Sequence, residues 1–141
     1  MVKNWRDGYF VLVGLIFLLL ALFLPGIKEA LFPEQTLQGW VLVALSGAAL
    51  LEIGKDTIST ILGLCFISNS LFFICTLGFP LLHNGPLKAA SWLCVLLTTF
   101  AIIITLFFVR NTHFAIGHYL WLFGMSMVTL GFFRSAKATG G

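Results

Sequence analysis

The chain predicts an all-α integral membrane helical bundle with five transmembrane segments, folded as one domain over residues 1–141. Three observations lead there. Hydrophobic residues make up 60% of the sequence and charged residues 9%, against about 45–50% and 25% in soluble domains. The apolar residues fall into five runs, at residues 8–24, 39–53, 57–79, 87–109 and 114–133, and the charged side chains lie at the ends of those runs rather than inside them. At about 1.5 Å of rise per helical residue, the longer runs cover the ~30 Å hydrocarbon layer of a bilayer.

The first run opens on Lys3, Asn4, Trp5, Arg6 and Asp7, an interfacial start in which Trp5 suits the headgroup level and Asp7 is the expected N-cap. Lys3 and Arg6 also suit the start of a secretory leader. No small-x-small cleavage pattern follows Leu24 and Pro25, so the run is expected to persist as a membrane helix. Residues 25–38 form the longest polar connection, with a short surface helical turn expected over residues 27–32.

The second run is free of charge only over residues 40–51, which is short for a span. It also lacks the polar face that an interfacial helix needs. The expectation is a short crossing helix shielded by its neighbours; the alternative is four crossings plus one short buried segment. Glu52, Lys55 and Asp56 then form an interfacial polar cluster around Gly54, with Asp56 placed to cap the third helix. The third run carries Ser68, Asn69 and Ser70 near its middle and stops at Pro80. His83, Asn84, Gly85 and Pro86 read as a turn into the fourth run, and Arg110, Asn111 and Thr112 lead into the fifth.

Small residues recur at seven-residue spacing through these runs: Gly14 and Ala21, Gly47 and Gly54, Ser91, Thr98 and Thr105, and Gly117, Gly124 and Gly131. On a helix such a set drifts only about 20° per heptad, so it leaves a shallow stripe where another backbone can approach. The fifth run, with three glycines, is the one the others are expected to pack against. Asn69 is expected to hydrogen-bond to a neighbouring helix, as polar side chains in lipid commonly do.

Chemistry is hard to place on these residues. The net charge of +3 is spread over helix ends, where Lys and Arg anchor helices to headgroups, so no nucleic acid partner is expected. Cys65, Cys75 and Cys94 all lie in apolar runs without a CxxC spacing and read as packing residues. His83, His113 and His118 share no helix face, so no metal or haem site is expected. No cofactor is expected either. There is no Ser-His-Asp grouping, phosphate-binding loop or zinc spacing, so the chain is expected not to be an enzyme. With five crossings the basic residues divide four to four between the two sides; with four they divide five to three, placing Lys3, Arg6, Lys88, Arg134 and Lys137 together.

LFLPG at residues 22–26, LQGW at 37–40 and GHYLWL at 117–122 resemble a loose group of uncharacterised small multi-pass membrane proteins of bacteria. Gly26 stands where that pattern has tryptophan and His118 where it has an aromatic. The resemblance implies a bacterial inner-membrane setting and no activity.

These readings give two expectations for function. The first is a non-catalytic accessory or structural subunit that packs in the lipid bilayer against other transmembrane subunits or itself. The second is a small transporter or channel component for a neutral or apolar solute, with Asn69, Ser70, Thr98 and Thr99 lining its route and the cysteines as labelling reporters. A quinone- or haem-binding subunit ranks third.

Overall fold

The computed structural model describes residues 5–28, 36–109 and 113–138, without the side chains of residues 5–7, 28, 36, 84 and 113. Helix α1, Trp5–Phe23, starts earlier than expected. Asp7 therefore lies inside its first turn and is not the N-cap. The helix stops before Pro25, whose ring pushes the preceding residue out of the helical region.

The connection that follows is not a helical turn. Pro25–Lys28 forms strand β1, Thr36–Gln38 forms β2 and His113–Phe114 forms β3, in a small antiparallel sheet ordered β2-β1-β3. Of the turn expected over residues 27–32, positions 29–32 lie outside the described residues. Ile27 pairs with both Leu37 and Phe114. The Gly39 amide donates to the Leu24 carbonyl at 3.1 Å, and the Ala115 amide to the Gly26 carbonyl at 2.9 Å. Where helices end in a poorly hydrated setting, their loose backbone groups need partners, and here three adjacent segments supply them to one another.

Helix α2, Gly39–Ala49, continues as a 3-10 turn, Leu50–Glu52. Helix α3, Thr57–Gly78, is capped by Asp56, whose carboxylate accepts from the Ser59 amide at 2.8 Å. It ends in a 3-10 turn, Phe79–Leu81, that contains Pro80. Helix α4, Asn84–Phe108, begins before its expected start. Pro86 sits in its first turn, where a missing N–H costs no hydrogen bond. Helix α5, Ile116–Ala138, runs past Phe133 to include Arg134 and Lys137.

The chain is thus mostly helical, with a small sheet that the sequence reading lacked. Among the described residues, three helices are long and apolar enough to cross a membrane, Thr57–Leu81, Gly85–Phe108 and Ile116–Ala138; Gly8–Phe23 and Gly39–Glu52 are shorter apolar helices.

Helix α5 is the centre of the bundle. Its most extensive partner is α1 and its second is α4. Against α1 it runs antiparallel, with Gly124 opposite Gly14, Gly117 opposite the Leu24 and Pro25 carbonyls, and the Arg134 guanidinium 5.2 Å over the Phe10 ring. Against α4 it is also antiparallel, through Thr98 with Thr129 and Thr105 with His118. Phe79, at the end of α3, packs edge-on against Phe132. That contact places the far end of α3 away from the sheet and its start near the sheet.

The path of α2 follows from these contacts. Gly39 sits against Ala21 and Leu22 at the sheet end, while Ile53 leads through the Gly54 turn into the start of α3, also at the sheet end. Helix α2 therefore begins and ends at the same end of the bundle.

Leu18, Phe72, Leu87, Cys94, Met125, Val128 and Phe132 fill the core between α1, α3, α4 and α5. Outward positions such as Leu96, Leu106 and Phe107 are 65–72% exposed, which is the apolar surface a lipid environment solvates.

A chamber at the sheet end

Helix α2 returns to the sheet end packed against the first half of α3, with Gly47 on the Phe66 ring and Gly63 against Ile53. The sheet end holds a chamber of about 360 Å³ with walls from all five helices and β1. Its floor and sides are mostly Ile, Leu, Val and Phe. Exposed Val43, Leu45, Ile58 and Leu62 form part of its rim, so it opens sideways between α2 and α3.

Seven side chains with polar atoms reach the wall: Ser46, Cys65, Ser68, Asn69, Thr105, His118 and Trp121. They are not equivalent. Ser46 donates back to its own helix, to the Leu42 carbonyl at 2.8 Å and the Val43 carbonyl at 3.0 Å. Thr105 donates to the Ala101 carbonyl at 2.8 Å, and its oxygen lies 2.9 Å from His118 Nε2. With the threonine proton committed to Ala101, the histidine donates and carries its proton on Nε2. The imidazole is further held by stacking on Phe114, with centroids 4.0 Å apart and planes 17° from parallel, and by Trp121 at 5.5 Å.

Ser68 differs. It is 7% exposed, and its Oγ, itself closed off from any accessible space, has no hydrogen-bond partner among the described residues. A buried hydroxyl left unbonded costs about 1–3 kcal/mol, and rotation onto the carbonyl one turn back, the bond Ser46 and Thr76 make, would relieve it. Asn69, the next residue, is half-buried on the same wall and brings two donors and a carbonyl. Among the described residues no charged side chain lines the chamber.

The residues singled out by sequence have separate fates. Gly117, Gly124 and Gly131 all lie on buried positions of α5. A Cβ at Gly124 would stand 2.9 Å from the Gly14 carbonyl oxygen, and one at Gly14 would stand 2.7 Å from that of Gly124. Gly47 packs against the Phe66 ring. Gly54 is on no helix face: it turns the chain at φ +88° with nothing within 4 Å of a would-be Cβ. Its seven-residue spacing from Gly47 fails because α2 has already ended. Asn69 lines the chamber, but Ser70, Thr98 and Thr99 do not. Thr98 is instead bonded to Thr129 at 2.8 Å in the α4–α5 contact.

Glu52 and Lys55 form an exposed ion pair at 3.4 Å beside the Asp56 cap, a neutralised turn at the sheet end. His83 Nδ1 lies 2.9 Å from the Leu81 carbonyl, and the His113 side chain is outside the described residues. Among the described residues no group of three or more His, Cys, Asp or Glu is placed to hold a metal. Cys65 is on the chamber wall, while Cys94 is fully buried in the core. Sequence reading missed the chamber and the Thr105–His118 pair. Seven-residue spacing did mark Thr105, and Ser68 was visible beside Asn69.

No protein-family model, curated protein or solved structure matches this chain.

Proposed function

We propose that this is a non-enzymatic membrane protein, of bacterial inner-membrane setting, that holds a neutral, largely apolar solute inside the bilayer as a small carrier or a component of one. The observation that supports this is the chamber. Its 360 Å³ falls in the ~300–1,000 Å³ range of small-molecule sites, which pair apolar walls with a few placed polar groups. Because exposed Val43, Leu45, Ile58 and Leu62 belong to its lining, the chamber is open to apolar molecules dissolved in the bilayer.

The glycine stripes, which supported the accessory-subunit reading, are occupied within the chain. Gly14 and Gly124 meet each other, and Gly117 meets Leu24 and Pro25. They leave no open groove for a second subunit at those positions.

We read the membrane topology as four crossings, α1, α3, α4 and α5, with α2 seated at the sheet end. This puts Arg6, Lys88, Arg134 and Lys137 at the opposite end; Lys3, which the sequence count groups with them, lies outside the described residues. The positive-inside rule then makes that opposite end cytoplasmic, and the chamber lies towards the outer leaflet.

Thermal unfolding of the purified chain tests the binding reading. Decane is expected to raise the midpoint in wild type, by mass action on the folded state. It is expected to raise it less in Ser46→Phe, whose ring intrudes on the chamber. An equal shift in both proteins would show that decane acts elsewhere.

A further inference from the structure

We infer that Cys75 and Cys94 form a redox site, a dithiol that a lipid-soluble hydroperoxide closes to a disulfide joining α3 to α4. Neither cysteine lines the chamber, and the site stands whatever the chamber holds. Three observations lead to it.

The first is position. Phe132 of α5 packs edge-on against Phe79 of α3, and Thr129, one turn nearer the sheet on α5, donates its hydroxyl to the Cys94 carbonyl of α4 at 3.4 Å. Cys75 lies one turn nearer the sheet than Phe79 on α3. The two cysteines therefore stand at the same level of the bundle. Their side chains meet across the α3–α4 contact, close enough for one thiol to hydrogen-bond to the other, and both are free.

The second is unequal access. Cys75 is half-buried at the edge of the core, whereas Cys94 is 0% exposed. A reagent dissolved in lipid meets Cys75 first, and Cys94 reaches only what Cys75 presents to it. This is the arrangement of an attacking thiol with a resolving thiol behind it.

The third is the surroundings. Among the described residues no group of three or more His, Cys, Asp or Glu is placed to hold a metal, so the pair lacks the ligand set that a structural zinc takes. Lipid around α3 and α4 excludes charged oxidants, because an ion entering it loses its hydration. A hydroperoxide is uncharged, and so are its products.

The chemistry has two steps. The Cys75 sulfur attacks the terminal oxygen of the hydroperoxide; the O–O bond breaks, an alcohol leaves with the thiol proton, and Cys75 becomes a sulfenic acid. The Cys94 sulfur then attacks the Cys75 sulfur; the S–S bond forms, the S–O bond breaks, and water leaves with the Cys94 proton. The two sulfurs together lose two electrons, and the peroxide gains them. The bond fixes α3 to α4 two residues beyond Phe73, which lines the chamber.

The test treats the full chain, in nanodiscs of saturated phosphatidylcholine, with cumene hydroperoxide and maps peptides without reductant. A Cys75–Cys94 linked peptide within one chain is expected, and dithiothreitol should remove it. Cys94→Ser is expected to leave Cys75 as a sulfenic acid that dimedone traps, about fivefold or more above the trapping at Cys94 in Cys75→Ser, as exposure dictates. Cys65, half-buried on the chamber wall, is the internal control for entry of the reagent. Modified Cys65 without the linked peptide would overturn the dithiol, as would a link formed only between chains or no oxidation at any cysteine. Equal trapping at Cys75 and Cys94 in the two variants would overturn the assigned order of attack. None of these results bears on decane and the chamber, so the carrier reading stands or falls separately.

Discussion

At Gly14 and Gly124 two backbones approach closely enough that no side chain fits between them. An added Cβ at Gly14 would meet the Gly124 carbonyl oxygen at 2.7 Å and the Val128 amide nitrogen at 2.8 Å, and backbone cannot step aside as a flexible side chain can. Gly14→Val should therefore lower stability by about 1–3 kcal/mol, the usual cost of overpacking, read from thermal melts in detergent. Gly78→Ala, at a position with nothing within 4 Å, should change stability by less than about 1 kcal/mol. Asp56 makes a second residue-scale case. The Ser59 backbone amide bonds its carboxylate and holds the pKa below the usual 3.8. A carboxylate with a lowered folded pKa contributes stability above its unfolded pKa, and that contribution is lost as pH falls through the folded value. The protection factor of the Ser59 amide, taken against the intrinsic exchange rate at each pH, should thus fall on acidification below the ordinary carboxylate range. Asp56→Asn should keep the cap and lose this pH dependence. Asp56 could be placed from sequence because capping is local; Gly54 could not, because its spacing from Gly47 has meaning only if the helix continues.

Helices were the legible elements. A run of twenty apolar residues admits few other states in lipid, so α3, α4 and α5 were located to within a few residues. The sheet was not legible, since strands of two to four residues are too short to show an alternating pattern. Helix α2 was ambiguous for a physical reason: its composition suits any buried apolar environment, and only contacts at both ends fix its direction. Its placement predicts a labelling pattern. Gln38→Cys and Lys55→Cys, at the two ends of α2, should react with an impermeant thiol reagent from the same side of the membrane, and Lys88→Cys from the other. Reaction of Gln38→Cys and Lys55→Cys from opposite sides would restore the five-crossing arrangement. The α4–α5 contact is testable as an element too. Thr129→Val removes the 2.8 Å bond to Thr98 and should cost about 0.6–1.7 kcal/mol, the range for hydrogen bonds between membrane helices.

Across the whole molecule, the small-residue stripes bring α1 and α4 onto α5, and α2 returns to the end from which it starts. The stripes were visible in the sequence; the opening was not, because empty volume leaves no periodic mark on a chain. Asn69 stood out as a mid-helix polar residue but was assigned to helix contact, and the wall it shares with Ser68 emerged only from the packing. Cys65, Cys75 and Cys94 were expected to serve alike as labelling reporters. Packing separates them: Cys65 borders the chamber, while Cys94 is 0% exposed. The most direct measurement of the central claim is to map, by peptide mass spectrometry, where a photoreactive diazirine analogue of decane attaches in the bilayer-embedded chain. The account predicts saturable attachment on the peptides bearing Cys65, Asn69 and Trp121. Attachment spread over the outward face of α4, at Leu96 and Phe107, with no saturable component on the chamber wall, would contradict it.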